Sequence, residues 1–192
     1  MKQPSGSPGP EGFFLGAVMQ IEQYRDALLL LMVSIAAVND LATRRIPNRL
    51  LLAGLAGALF LHLLSAEPAA ALLSGVGGML LGLVIFLPFY LVRGMAAGDV
   101  KMMAVIGFFT GPSEAFQIAV LTWCVGGVMA LLLVLLRSRL RLALANIGHL
   151  LSALILPGIR LADVRLPQSA GSMPYGLAIA AGTIVVLVTQ YG

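Results

Sequence analysis

Two aspartates carry the chemistry that this sequence makes available. Asp40 lies in Asn39-Asp40-Leu41-Ala42-Thr43-Arg44-Arg45-Ile46-Pro47-Asn48, at the end of the first long apolar run. Asp99 lies in Met95-Ala96-Ala97-Gly98-Asp99-Val100-Lys101-Met102-Met103, at the start of another. An ionisable side chain in or beside a bilayer is costly, so it marks a functional site once a partner for it can be named. Each aspartate supplies that partner for the other. Two carboxylates brought together share protons, and such a pair can activate a water against a peptide carbonyl and protonate the leaving amine.

The elements that must position the pair are membrane helices. Of 192 residues, 59% are hydrophobic and 10% charged, more apolar than a water-soluble domain of this length needs. The 12 Lys and Arg outnumber the 8 Asp and Glu. In a membrane protein that excess reports topology and contact with anionic lipid, and no nucleic-acid partner is expected. Cys124, the lone cysteine, sits in an apolar run and is expected to be a buried, inert thiol.

Read in order, residues 1–26 are expected to form a disordered Pro/Gly/Ser-rich tail and then an amphipathic helix lying on the membrane. Residues 27–190 are expected to form one all-α, polytopic domain of about six transmembrane helices: 27–43, 49–64, 69–92, 97–110, 113–136 and 173–190. The first of these, at 1.5 Å per residue, reaches roughly 26 Å. Pro47 stops helical continuation after it. Gly75, Gly77, Gly78 and Gly82 in the third would let a neighbouring backbone approach closely. The arginine-bearing segment 137–165 reads as a cytoplasmic, surface-lying amphipathic helix, and Pro174 suits a helical first turn.

Basic residues distribute unevenly over the connections. Segments 43–49, 93–101 and 137–165 hold ten of them, whereas the other side has only Lys2 and Arg25. The positive-inside rule therefore puts the first group in the cytoplasm and both termini on the opposite side. Asp40 and Asp99 then share the cytoplasmic face.

Helix polarity suggests roles for the two. Asp40 near a helix C-terminus is expected to be the protonated acid, and Asp99 near a helix N-terminus the ionised base. The plain structural alternatives are an i,i+4 ion pair of Asp40 with Arg44, and an N-terminal capping role for Asp99. Lys101, about 200° around the helix from Asp99, is expected to point elsewhere and reach for headgroups. Met102 and Met103 are expected to pack. The two histidines, His62 and His149, form no H-E-x-x-H, so no metal site is expected; G-x-S-x-G, phosphate-loop and dinucleotide signatures are absent.

Asp40 through Ile46-Pro47-Asn48, followed by Gly98-Asp99-Val100-Lys101 and then Met173-Pro174-Tyr175-Gly176, resembles the type IV prepilin peptidases, intramembrane aspartic proteases of the GxGD type. The likeness spans about residues 27–190. It implies Asp40 and Asp99 as the catalytic pair, with Pro47, Asn48, Gly98, Lys101, Pro174, Tyr175 and Gly176 shaping the site. It implies no cofactor. The implied partner is a prepilin or pseudopilin whose short basic leader is removed at the cytoplasmic face of the bacterial inner membrane, alongside membrane lipid and contacts with the pilus-assembly machinery. Alanine at 96 replaces the family's first glycine. The chain has no cysteine pairs, so it resembles the short, peptidase-only branch serving tight-adherence (Flp-type) pili, without N-methylation. The competing readings are an inactive relative that scaffolds pilus assembly and a proton-coupled transporter.

Overall fold

The structure, a computed structural model, describes residues 10–92, 94–136 and 174–190. The expected surface helix in 137–165 lies outside the described residues. Six α-helices are seen among those described: α1 (Pro10–Thr43), α2 (Asn48–Leu63), α3 (Pro68–Leu91), α4 (Ala97–Thr110), α5 (Pro112–Leu136) and α6 (Tyr175–Gln190). The molecule is an all-α membrane protein. Large apolar side chains such as Leu31, Val38, Leu73, Val84, Leu131 and Val188 are exposed on its outside, which suits a surface solvated by lipid rather than water.

Three helices are long and apolar enough to cross a bilayer, and α2 and α6 are shorter apolar helices of 16 residues each. The shortest, α4, has 14 residues, so it rises roughly 21 Å. It can be this short because residues 99–109 apart from Lys101 are buried, most of them against protein on every side. A helix so enclosed is not obliged to match the hydrocarbon thickness.

One expectation changes at the N-terminus. The amphipathic segment and the first span form one unbroken helix starting at Pro10, so residues 10–12 belong to its first turn instead of a disordered tail. No Gly or Pro occurs from Ala17 to Ile46, and nothing in the chain breaks the hydrogen-bond ladder between the two segments. The helix ends at Arg44, which adopts a left-handed backbone (φ 56°), and the Arg44 N–H donates to the Asp40 carbonyl at 2.9 Å. Pro47 then precedes α2 in extended geometry.

The centre of the bundle is the α3–α4 contact, and glycines make it. A Cβ on Gly78 would overlap the Gly107 carbonyl, and one on Gly107 would overlap the Gly78 carbonyl. At Gly75 and Gly82 it would lie 2.8 and 2.7 Å from the carbonyl oxygens of Phe108 and Met103. The backbones touch where side chains would hold them apart. Around this pair pack Leu29, Met32, Val33 and Ala36 of α1, Ile118 and Ala119 of α5, and Ile179 and Leu187 of α6. Met102 and Met103 are fully buried there, as expected. Cys124 is not: it is exposed on the outer face of α5, because the buried residues Ala115, Ile118, Ala119 and Thr122 belong to the opposite face.

Candidate active site

Because α2 and α3 run out and back, α1 delivers Asp40 and α4 delivers Asp99 to the same end of the bundle. On α1 the buried positions are Leu29, Met32, Val33, Ala36, Ala37 and Asp40, an i, i+3, i+4, i+7 stripe that the carboxylate simply continues. On α4, Asp99 occupies the third helical position. Asp40 is 6% exposed and Asp99 4%, and the two lie within electrostatic reach of one another. Two buried carboxylates within electrostatic reach of each other are costly when both are charged.

Each carboxylate is held by a backbone N–H. Gly176 donates to Asp40 Oδ2 at 2.8 Å across 136 residues of sequence, and Ala96 donates to Asp99 Oδ2 at 3.2 Å. The Asp99 N–H in turn donates to the Ala96 carbonyl at 3.1 Å, so the capping role is present alongside whatever else Asp99 does. The first turn of α6 thus points at Asp40 as the first turn of α4 contains Asp99. The expected division into acid and base from helix polarity rested on Asp40 facing only a helix C-terminus, and that premise fails: an N-terminus serves both.

The glycines here are spatial requirements. A Cβ on Gly176 would lie 2.9 Å from both Cβ and Oδ2 of Asp40, so any larger residue evicts the carboxylate from its seat. A Cβ on Gly98 would come within 3.3 Å of Ile46 Cβ, where the start of α4 meets the α1–α2 turn. Ile46 belongs to the quoted Ile46-Pro47-Asn48 motif but was given no role from sequence; its apolar side chain directly before Pro47 is the signal that could have found one. The Lys101 ammonium donates to Asn48 Oδ1 at 3.3 Å, a second tie between that turn and α4. Lys101, Asn48 and Pro47 are exposed. Pro174 is buried just ahead of α6, its carbonyl accepting from the Leu177 N–H at 3.2 Å, and so precedes the helix instead of opening its first turn. Tyr175 is half-buried within electrostatic reach of Asp99.

Ala96 is exposed with φ −81° and ψ 153°, an extended conformation open to any L-residue. Nothing at that position demands glycine. Among the described residues no group of three or more His, Cys, Asp or Glu could hold a metal ion.

The opposite end holds a second set of buried polar groups. The Asp26 carboxylate is 5% exposed and pairs with the Arg25 guanidinium at 3.2 Å. His62 donates from Nε2 to the Phe108 carbonyl at 2.7 Å, beside a cavity of about 180 Å³.

Compared with known families, the chain matches the type IV leader peptidase family over residues 27–131, more than half its length. No curated protein and no solved structure matches it.

Proposed function

The chain belongs to the type IV leader peptidase family, and from that premise we propose that it is an aspartic endopeptidase of the bacterial inner membrane whose catalytic pair is Asp40 and Asp99. The observation that carries the reading is the convergence of these two buried carboxylates from separate helices at one end of the bundle, each with a backbone donor. In the reaction, the ionised carboxylate takes a proton from water as its oxygen attacks the scissile carbonyl carbon. The protonated partner gives its proton to the carbonyl oxygen. Collapse of the gem-diol breaks the C–N bond, and the nitrogen leaves as an amine carrying a proton returned by the pair.

The substrate is a prepilin with a short basic leader, cut at the cytoplasmic face, with both termini of the chain on the other side. The uneven distribution of Lys and Arg supports that orientation. A single cysteine supports the peptidase-only branch over a bifunctional, methylating one. A proton-coupled transporter is disfavoured, since the pair sits at one end and not at mid-membrane. The scaffold reading loses its one hint, because the backbone at Ala96 does not require glycine. The test is co-expression with a candidate prepilin, following leader removal by mobility shift. Wild type should process it, and Asp40→Asn and Asp99→Asn should not; processing that survives either substitution refutes the paired mechanism.

A further inference from the structure

Beside the candidate pair runs an apolar cleft of about 250 Å³, between the end of α3, the following turn, the middle of α5 and the first residue of α6. Its walls include Phe89, Met95, Trp123, Gly126 and Tyr175. At ~30 Å³ per water this is the volume of roughly eight waters, room for a pair of apolar side chains. Phe89 and Trp123 meet in a tilted contact, ring centroids 5.5 Å apart, and both are substantially exposed, so the cleft opens to the outside of the bundle.

At the other side stands Tyr175. Three placements fix it there. Its ring edge lies against Gly126, Cε1 being 3.6 Å from where a Cβ would be, so the missing side chain on α5 gives the ring its berth. The next residue, Gly176, holds Asp40 through its N–H. And the phenol lies within electrostatic reach of Asp99. Tyr175 thus lines the cleft and lies within electrostatic reach of Asp99.

Resting on the peptidase reading, we propose that the cleft receives apolar side chains flanking the bond to be cut, and that Tyr175 is a third catalytic group whose hydroxyl donates a hydrogen bond to the substrate carbonyl oxygen as negative charge grows on it. The O–H stays on tyrosine throughout; the protons that move are those of water and the carboxylate pair. A donor aimed at developing charge acts on the transition state more than on the bound substrate, so its loss should fall on kcat.

Two measurements on the full chain in membranes decide this. Tyr175→Phe keeps the ring in its berth and removes only the donor: kcat for leader removal should fall about a hundredfold with KM within about twofold. Unchanged kcat in Tyr175→Phe, with Asp99→Asn inactive, overturns the role of Tyr175 and leaves the peptidase reading standing; processing insensitive to both aspartates overturns that reading instead. The second uses Trp123, the only tryptophan in the chain. In the Asp40→Asn, Asp99→Asn protein, titrating an uncut prepilin peptide should shift Trp123 emission, and a prepilin whose residues beside the cut are replaced by serine should not. An emission unmoved by the apolar peptide under saturating binding overturns the assignment of the cleft.

Discussion

One face of α1 carries two buried aspartates, Asp26 at its middle and Asp40 near its C-terminal end, fourteen residues, roughly 21 Å, apart on the same inward stripe. The residue type, the helix and the burial are alike, and the surroundings differ. Asp26 has a guanidinium beside it at 3.2 Å, with the Glu114 carboxylate also within electrostatic reach. Asp40 has a backbone N–H and, within electrostatic reach, a second carboxylate. A carboxylate ion-paired with a neighbouring cation is satisfied, whereas under the proposed mechanism the pair of carboxylates supplies a transferable proton. Burial alone does not distinguish the two; the bonded partner does, a guanidinium for Asp26 and a backbone N–H for Asp40.

The contrast can be broken most directly by removing the charge at each end. Asp40→Asn or Asp99→Asn should lower processing at least a thousandfold with the thermal midpoint little changed. Asp26→Asn should keep processing within about twofold and cost stability of about 1–3 kcal/mol. Equal loss of activity at both ends would erase the distinction. Next in size is Gly176→Ala: with a methyl 2.9 Å from Asp40 Oδ2, the carboxylate must leave its donor. Displacement on the ångström scale should cost about a hundredfold in kcat, read in the same processing assay. Gly98→Ala should be milder, because Ile46 needs to yield only a few tenths of an ångström. We expect a loss of about tenfold or less. Smallest is Ala96→Gly, expected to leave kcat within about twofold, since the backbone there is extended and the side chain exposed.

Much of the architecture was legible because local rules write it. Pro47, Gly111-Pro112 and Pro174 mark where helices stop and start, and the stripe from Leu29 to Ala37 marks the inward face that Asp40 extends. The close approach expected of Gly75, Gly78 and Gly82 is present, against the backbone of α4, whereas a Cβ on Gly77 would meet only the Pro112 ring at 3.9 Å. What local periodicity does not encode is register between helices distant in sequence. That α6 would set the Gly176 N–H against Asp40 depends on how α1 and α6 slide against each other, and neither helix states this alone. The acid–base division inferred from helix ends lost its premise for that reason. Cys124 shows a related limit: in a run apolar all round, hydropathy does not tell the lipid side from the protein side.

The glycine seam between α3 and α4 also bears on how the chain enters a membrane. A 14-residue helix with a carboxylate in its first turn has little tendency of its own to leave water for hydrocarbon, and Gly111 joins it to α5 with a single residue. Its partitioning is therefore borrowed from the longer neighbours on either side, so α3, α4 and α5 should be inserted as one cooperative unit, the reactive segment travelling as their passenger.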